Sequence, residues 1–513
     1  MSELTAPVAP PAGTAPVVFK QRRGIELVLI LVAQSLGWGG YILTGLNRDN
    51  AFPAHWLPVT IAWFGVGVAL HLVVRWRTPY ADPVLLPCVF ALVGIGQAAL
   101  YRFTLDFDKV SEGGRFSERS QIIALFLGLA GCCAILIWLR NLRRLNAYPY
   151  VLSAAAVVLL LLPLVPGLGW EVNGSRIWIH LGPFSLQPAE IAKLVLAASF
   201  AGYLTENREL LASGGRRLLG FRLTRVRDIA PLLVMWGVSL VIIVGQRDLG
   251  TALLFFGLIV LMLYVSTGQL RWIVIAAGLG LGGSLAAWRL FGHVQQRVAY
   301  WLHPEDFPDG AYQIITAQYG MSVGGLAGAG WGLGWPYMTP YYFNDMIAPS
   351  LVEEIGVAGL MGIVVIYGLI AFRGLRMALQ AKDPFTKLFA AGLSFGFLLQ
   401  TFAIIGGSTR LLPLTGLTCP FLSQGGSSMI ANWLLAGLLL VTSHEVRRPV
   451  DLVEVDLADE RTMTIDVRQL RHLFSGQAAP LLDVPADLVK EDDAAAGPER
   501  DETIALPPPG GLS

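Results

Sequence analysis

The chain has 513 residues, 54% of them hydrophobic and 14% charged, with a mean hydropathy of +0.58 and a formal net charge of +1. This composition excludes one or two water-soluble domains, and the bilayer must be the solvent for most of the chain. The four cysteines, Cys88, Cys132, Cys133 and Cys419, lie in or beside apolar segments without the spacing of a zinc site or disulfide framework, which makes them packing residues.

Residues 1–23 are rich in Pro and Ala and lack the basic-then-apolar order of a cleaved signal, so they predict a disordered cytosolic tail, with the first helix as an uncleaved signal. Apolar runs long enough to cross a hydrocarbon core of about 30 Å follow near 24–44, 54–75, 82–101, 119–139, 148–166, 187–206, 229–246, 249–267, 271–291, 350–372, 386–408 and 427–443. The predicted fold is an all-α polytopic membrane protein of about twelve transmembrane helices, with a transmembrane domain over 24–446. The Gln246–Gly250 turn is so short that the pair it joins could also be one bent, half-broken element.

Lys and Arg concentrate at Lys20–Arg23, Arg75 and Arg77, Arg140–Arg144, Arg208–Arg227, Arg271, Arg373–Lys382 and Arg447–Arg448. With twelve spans all of these fall on one side, which puts both termini in the cytosol. The loops at 102–118, 167–186, 292–349 and 409–426 are then external, 292–349 being the large one. Residues 447–513 turn to Asp, Glu, Ala and Pro and predict a disordered acidic cytosolic tail.

Three external stretches are too polar or too rich in Gly and Pro to be idle turns. The first, Asn173–Lys193, runs into a span whose first turn suits Pro188. Glu190 and Lys193 share one face there and must point into the protein, since either alone at the bilayer centre costs roughly 2.5–3.5 kcal/mol. They are either a structural ion pair or a direct substrate contact. Arg176, outside the span, has the forked geometry that binds phosphate, or is a surface arginine near the headgroups.

The second stretch places Arg297, Tyr312, Gln313 and a Gly-rich run at 320–334 before Asp345, and Glu353 and Glu354 follow about two turns into the next span. Asp345 is either a helix cap or a general base whose apolar neighbours raise its proton affinity. The third stretch, Gly406–Ser428, either lines a substrate cavity with Ser423, Gly425, Gly426 and Ser427 or is a re-entrant packing loop.

Four ordered blocks, Gln187–Lys193, Asp248–Gly250, Asp345–Gly356 and Leu412–Ser427, resemble the signature blocks of the SEDS family, which includes RodA, FtsW and the sporulation homologues. Two extra amino-terminal spans before a ten-helix core resemble actinobacterial RodA-type members, as does the wording Gly407–Pro413. Departures are Asn344 and Met346 around Asp345 (usually Thr and Phe), Ala189 (usually Ser) and Gln424 (usually Tyr).

The resemblance implies a peptidoglycan glycosyltransferase that polymerises lipid II at the outer face of the plasma membrane, for elongation and shape, beside a class B penicillin-binding protein. It makes Asp345 the catalytic residue, deprotonating the acceptor 4-hydroxyl, with Arg176, Arg297 or a divalent cation (Mg or Mn) neutralising the departing pyrophosphate. No ligand cluster identifies a metal site, and no nucleic-acid partner is expected. The rival readings are a lipid II flippase, which would need polar groups through the whole membrane depth, and an FtsW-like division polymerase. The candidates instead gather on the external side.

Overall fold

The computed structural model describes residues 21–106, 118–139, 141–172, 175–181, 184–212, 217–218, 221–222, 226–449, 452–456 and 462–466. Of the predicted tail at 1–23, residues 1–20 lie outside them, as do most of the loop at 102–118 and the carboxy-terminal tail beyond 466, while Arg23 already belongs to the first helix. The chain divides into two units, Met1–Arg448 and Pro449–Ser513.

Each predicted run falls on a helix of the first unit. In chain order these are α1 (Arg23–Asp49), α2 (Trp56–Arg77), α3 (Leu85–Thr104), α4 (Glu118–Trp138), α5 (Pro149–Leu161), α6 (Pro188–Glu206), α7 (Val226–Gly245), α8 (Leu249–Thr267) and α9 (Arg271–Leu290). Two helices inside the external loop, α10 (Gly292–Leu302) and α11 (Tyr312–Gly324), precede α12 (Ile347–Gln380), α13 (Pro384–Ser408) and α14 (Gly426–Arg447). Among the described residues nine helices are long and apolar enough to cross a membrane. The apolar parts of α5 and α7 are shorter, and α6 carries Glu190 and Lys193. Separate helices α7 and α8 replace the bent element considered for 229–267.

Contacts between helix ends sort into two sets. At one end Arg23 donates to the carbonyl of Pro79 (3.1 Å), Asp82 pairs with Arg373 (3.4 Å) and with Arg447, and Arg271 donates to the carbonyl of Leu211 (2.9 Å). At the other, Gln187 meets Asp248 (3.3 Å), Arg297 meets Leu414 (3.3 Å) and Arg102 meets Gly334 (2.8 Å). The first set draws on Arg23, Arg271, Arg373 and Arg447, members of the basic clusters.

Two local departures matter. α12 is not continuous: Gly356 takes φ 73° and ψ 173°, splitting it into a half-helix from Ile347 to Ile355 and a long helix after it. The external connection before α6 is a three-stranded antiparallel sheet, β1 (Gly169–Val172), β2 (Ser175–Leu181) and β3 (Phe184–Leu186), in order β1-β2-β3.

In the second unit, where composition predicts disorder, β4 (Leu452–Asp456) and β5 (Thr462–Asp466) pair antiparallel with Val453 opposite Ile465 and Val455 opposite Met463. The β-branched residues of these two stretches favour a strand where the surrounding tail has few.

Candidate functional site on the external side

The break at Gly356 strips hydrogen bonds from the backbone on both sides of it, and those groups must find partners elsewhere. The Gly-rich run supplies them. Ala329 and Gly330 donate N–H groups to the carbonyls of Glu353 and Glu354 (both 2.9 Å), and Gly325 and Leu326 accept from the N–H groups of Val357 (2.9 Å) and Ala358 (3.1 Å). The two backbones are so close that a Cβ on Gly356 would stand 2.2 Å from the carbonyl oxygen of Leu326, and one on Gly328 2.3 Å from that of Glu354.

Asp345 sits at the outer end of the half-helix. Its segment is fixed by the third stretch: Gln424 N–H donates to the carbonyl of Phe343 (2.8 Å), and the Ser423 hydroxyl donates to that of Asn344 (2.7 Å) while accepting from Cys419 N–H (3.0 Å). Met346 packs in a small cluster with Ile314, Ala317, Tyr300 and Leu414, which gathers α10, α11 and the loop after α13 around Asp345.

The Asp345 carboxylate is half-buried and makes no hydrogen bond or ion pair among the described residues. Burial pushes it up to about 6, against the pull of the Arg297 guanidinium. Arg297 is exposed, donates to the carbonyl of Leu414 (3.3 Å), and its charge acts on Asp248 as well. Three buried amide atoms around this segment have no partner among the described residues: Gln313 Nε2, Asn344 Oδ1 and Gln424 Oε1. Buried polar atoms are normally paired, so these are open to a polar ligand or water.

The structure thus brings the charge of Arg297 to bear on Asp345, and Gln313 is next in the chain to Ile314, which packs against Met346. The hydroxyls of Ser423 and Ser427, expected to face substrate, are engaged by the protein instead: Ser427 accepts from Gln187 N–H (2.7 Å). Gly425 N–H donates to Gln121 Oε1 (3.1 Å), and a Cβ on Gly426 would touch Ala124 (3.4 Å). Because these four residues join α4, β3 and the Asp345 segment, they position the site. Arg176 bonds back to the carbonyl of Gly169 (3.4 Å) in its own sheet rather than to any other candidate.

Glu190 and Lys193 form a buried ion pair at 2.8 Å, closed by Gln400, which accepts from Lys193 and donates to Glu190 (3.3 Å) and to the carbonyl of Thr418 (3.0 Å). The cavity beside them is about 10 Å³, room for one water at most and none for a sugar. The arrangement is that of a structural pair joining α6 to α13.

A larger apolar groove of about 450 Å³ lies between α4, α5, α6 and α14, lined by Trp138, Leu152, Leu194 and Leu434 among others, and includes none of the candidates.

Residue reasoning missed Gln400 and Thr418, for which the sequence carries no local signal. It also missed Asn344 and Gln424 as contacts, although Gln424 stands in a signature block and Asn344 just before one.

Fold and site define a multi-pass membrane protein with an unpaired acidic group held at one end of its helices. A family profile described as "Cell cycle protein", covering FtsW, RodA and SpoVE, matches residues 83–448. The Peptidoglycan glycosyltransferase RodA of Mycobacterium tuberculosis is 38% identical over 453 residues, covering 88% of this chain and 95% of that protein. Stage V sporulation protein E of Bacillus subtilis is 32% identical over 370 residues, 71% of this chain and 98% of that protein.

Among solved structures, a chain of a peptidoglycan synthase complex that coordinates polymerization and crosslinking superposes with a TM-score of 0.58 at 28% identity, covering 72% of this chain and 99% of that one. The Rod shape determining protein RodA of Thermus thermophilus gives 0.50 at 26%, with coverages of 72% and 98%. The chain belongs to the FtsW/RodA/SpoVE family and is a multi-pass protein of the bacterial plasma membrane.

Proposed function

We propose that this chain is a peptidoglycan glycosyltransferase of the RodA type, polymerising lipid II into glycan strands at the outer face of the plasma membrane for elongation and shape, with a class B penicillin-binding protein as its partner. The observation that carries the reading is the unpaired, half-buried Asp345, its segment held by three backbone and hydroxyl contacts and its carboxyl raised to about 6. A base with that affinity is ionised at neutral pH yet basic enough to take a proton.

In the reaction the acceptor 4-hydroxyl gives its proton to Asp345 as its oxygen attacks the anomeric carbon. The bond to the pyrophosphate breaks on the opposite face, which inverts the configuration. Pyrophosphate leaves on its polyprenyl chain, and Arg297 offers the exposed positive charge nearest the base. Gln313, Asn344 and Gln424 are the free amides that can orient the sugars.

A divalent cation is expected with such a leaving group, but the donor set does not form a protein-only site. No group of three or more His, Cys, Asp or Glu side chains converges among the described residues. Such an ion would be held by substrate phosphates with one or two carboxylates, and no step above depends on it.

The test is glycan synthesis from lipid II by the purified protein with its partner, comparing wild type with Asp345→Asn. The variant keeps the shape but cannot accept the proton, and should lose roughly 10²- to 10⁴-fold in rate. Wild-type synthesis by Asp345→Asn would remove Asp345 from the reaction.

A further inference from the structure

The first of the two helices that precede the family match at residue 83 is not peripheral to the site. α1 packs along α3, and its outer end reaches the Gly-rich run that closes the break in α12. Asn47 donates to the carbonyl of Trp331 (2.8 Å), and the Trp331 ring lies so close to α1 that a Cβ on Gly40 would stand 2.9 Å from it.

At the residue after Asn47 a charged chain begins. Arg48 forks onto Asp106 with bonds of 2.6 and 3.2 Å, and Asp106 also pairs with Arg102. Arg102 in turn pairs with Glu354 (2.8 Å) and donates to the carbonyl of Gly334 (2.8 Å), and Glu354 accepts from Gly332 N–H (3.0 Å). Arg102, Asp106 and Glu354 are at most 2% exposed.

This chain ends on the inner end of the half-helix whose outer end follows Asp345. The half-helix, Ile347–Ile355, is about 13 Å long at 1.5 Å per residue, and a short helix transmits a shift at one end to the other as a rigid body. Gly356 uncouples it from the long helix behind. Its inner end is therefore held by what grips Glu353 and Glu354, and that grip runs back to α1.

We propose that Arg48, with Asn47, is a positioning residue: the added amino-terminal helix clamps the Gly-rich run and, through Asp106, Arg102 and Glu354, fixes the half-helix that carries Asp345. The inference rests on the glycosyltransferase reading for its kinetic consequence only; the clamp itself is a matter of geometry.

Two measurements on the full-length protein with its partner separate these. Hydrogen exchange in Arg48→Ala should rise at the amides of residues 325–332 and 353–358, which bond across the break, while α13 and α14 keep wild-type protection. Glycan synthesis should fall about ten-fold in kcat with KM for lipid II unchanged, since a displacement below 1 Å at a reacting group is worth up to about 10²-fold. Arg48→Lys, which keeps one bond to Asp106, should recover part of both effects.

If Arg48→Ala does not fold, Asn47→Ala, which removes only the bond to Trp331, should show the same pattern at smaller amplitude. Unchanged exchange at 325–332 and 353–358 would overturn the clamp. Raised exchange with wild-type kcat would overturn its role in positioning Asp345. A wild-type protein that makes no glycan would instead sink the glycosyltransferase reading, and the exchange result would still decide the clamp.

Discussion

Replacing Asp345 by asparagine should abolish glycan synthesis and, above about pH 6, make the protein more stable. The carboxyl binds its proton more tightly in the folded chain, at about 6, than at its ordinary 3.8. Folding is therefore favoured fully below about pH 4, and this contribution is lost as pH rises through 6. The interval of about 2 pH units corresponds to about 3 kcal/mol at 1.36 kcal/mol per unit. Solvent reaches half-buried Asp345, so about 1–2 kcal/mol is the working expectation.

Asparagine has the same shape and no charge to bury, so it escapes the loss. Thermal unfolding in detergent, followed from pH 4.5 to 8 for both proteins, should give midpoints that converge at the acid end and diverge by a few degrees by pH 7. The rate of glycan synthesis by wild type should rise over the same window with a midpoint near 6. A variant less stable than wild type at pH 8, or a difference between the two that ignores pH, would refute the claim that burial of this carboxylate sets its proton affinity.

The long helices were legible because a continuous apolar run can do little else in a bilayer. Glu190 and Lys193 were legible as a pair because three residues along a helix put both on one face. The break in α12 was not, since glycine is common inside membrane helices and Gly356 differs from Gly359 or Gly362 only in what lies across from it. Its partners, Gly325 to Gly330, are some thirty residues upstream, and nothing local joins the two.

Arg102 and Glu354 are similarly remote, 252 residues apart. A glutamate inside a span needs a basic partner, but only the fold names the one for Glu354. The serines of the third stretch mark the other limit. A hydroxyl that binds a sugar and one that holds a backbone carbonyl are the same letter, and Ser423 and Ser427 do the second.

Removing either Glu190 or Lys193 with alanine should lower thermal stability by roughly 3–5 kcal/mol, because a buried charge loses its partner. The double variant should cost less than the sum, and simple additivity would end the structural reading. Arg297→Ala takes the opposing charge from Asp345, so the acid limb of the pH–rate profile should move above 6; an unmoved limb would separate Arg297 from the base. Reporters fused after Asp309 should be external and those after Arg143 cytosolic, and a cytosolic Asp309 would place Asp345 on the wrong side for an extracellular polymer. The break at Gly356 gives the last prediction. Its φ of 73° with ψ of 173° belongs to glycine almost alone, and a Cβ there meets Leu326 O at 2.2 Å, so Gly356→Ala must either strain the backbone or push the Gly-rich run away. Strain of this kind costs about 1–3 kcal/mol, and pushing the run away frees the half-helix that carries Asp345. Gly362→Ala, two turns on in regular helix with nothing within 4 Å, should be neutral or slightly stabilising. If instead the two variants behave alike in thermal unfolding and glycan synthesis, the break does not organise the site, because the only feature that distinguishes them is the geometry of position 356.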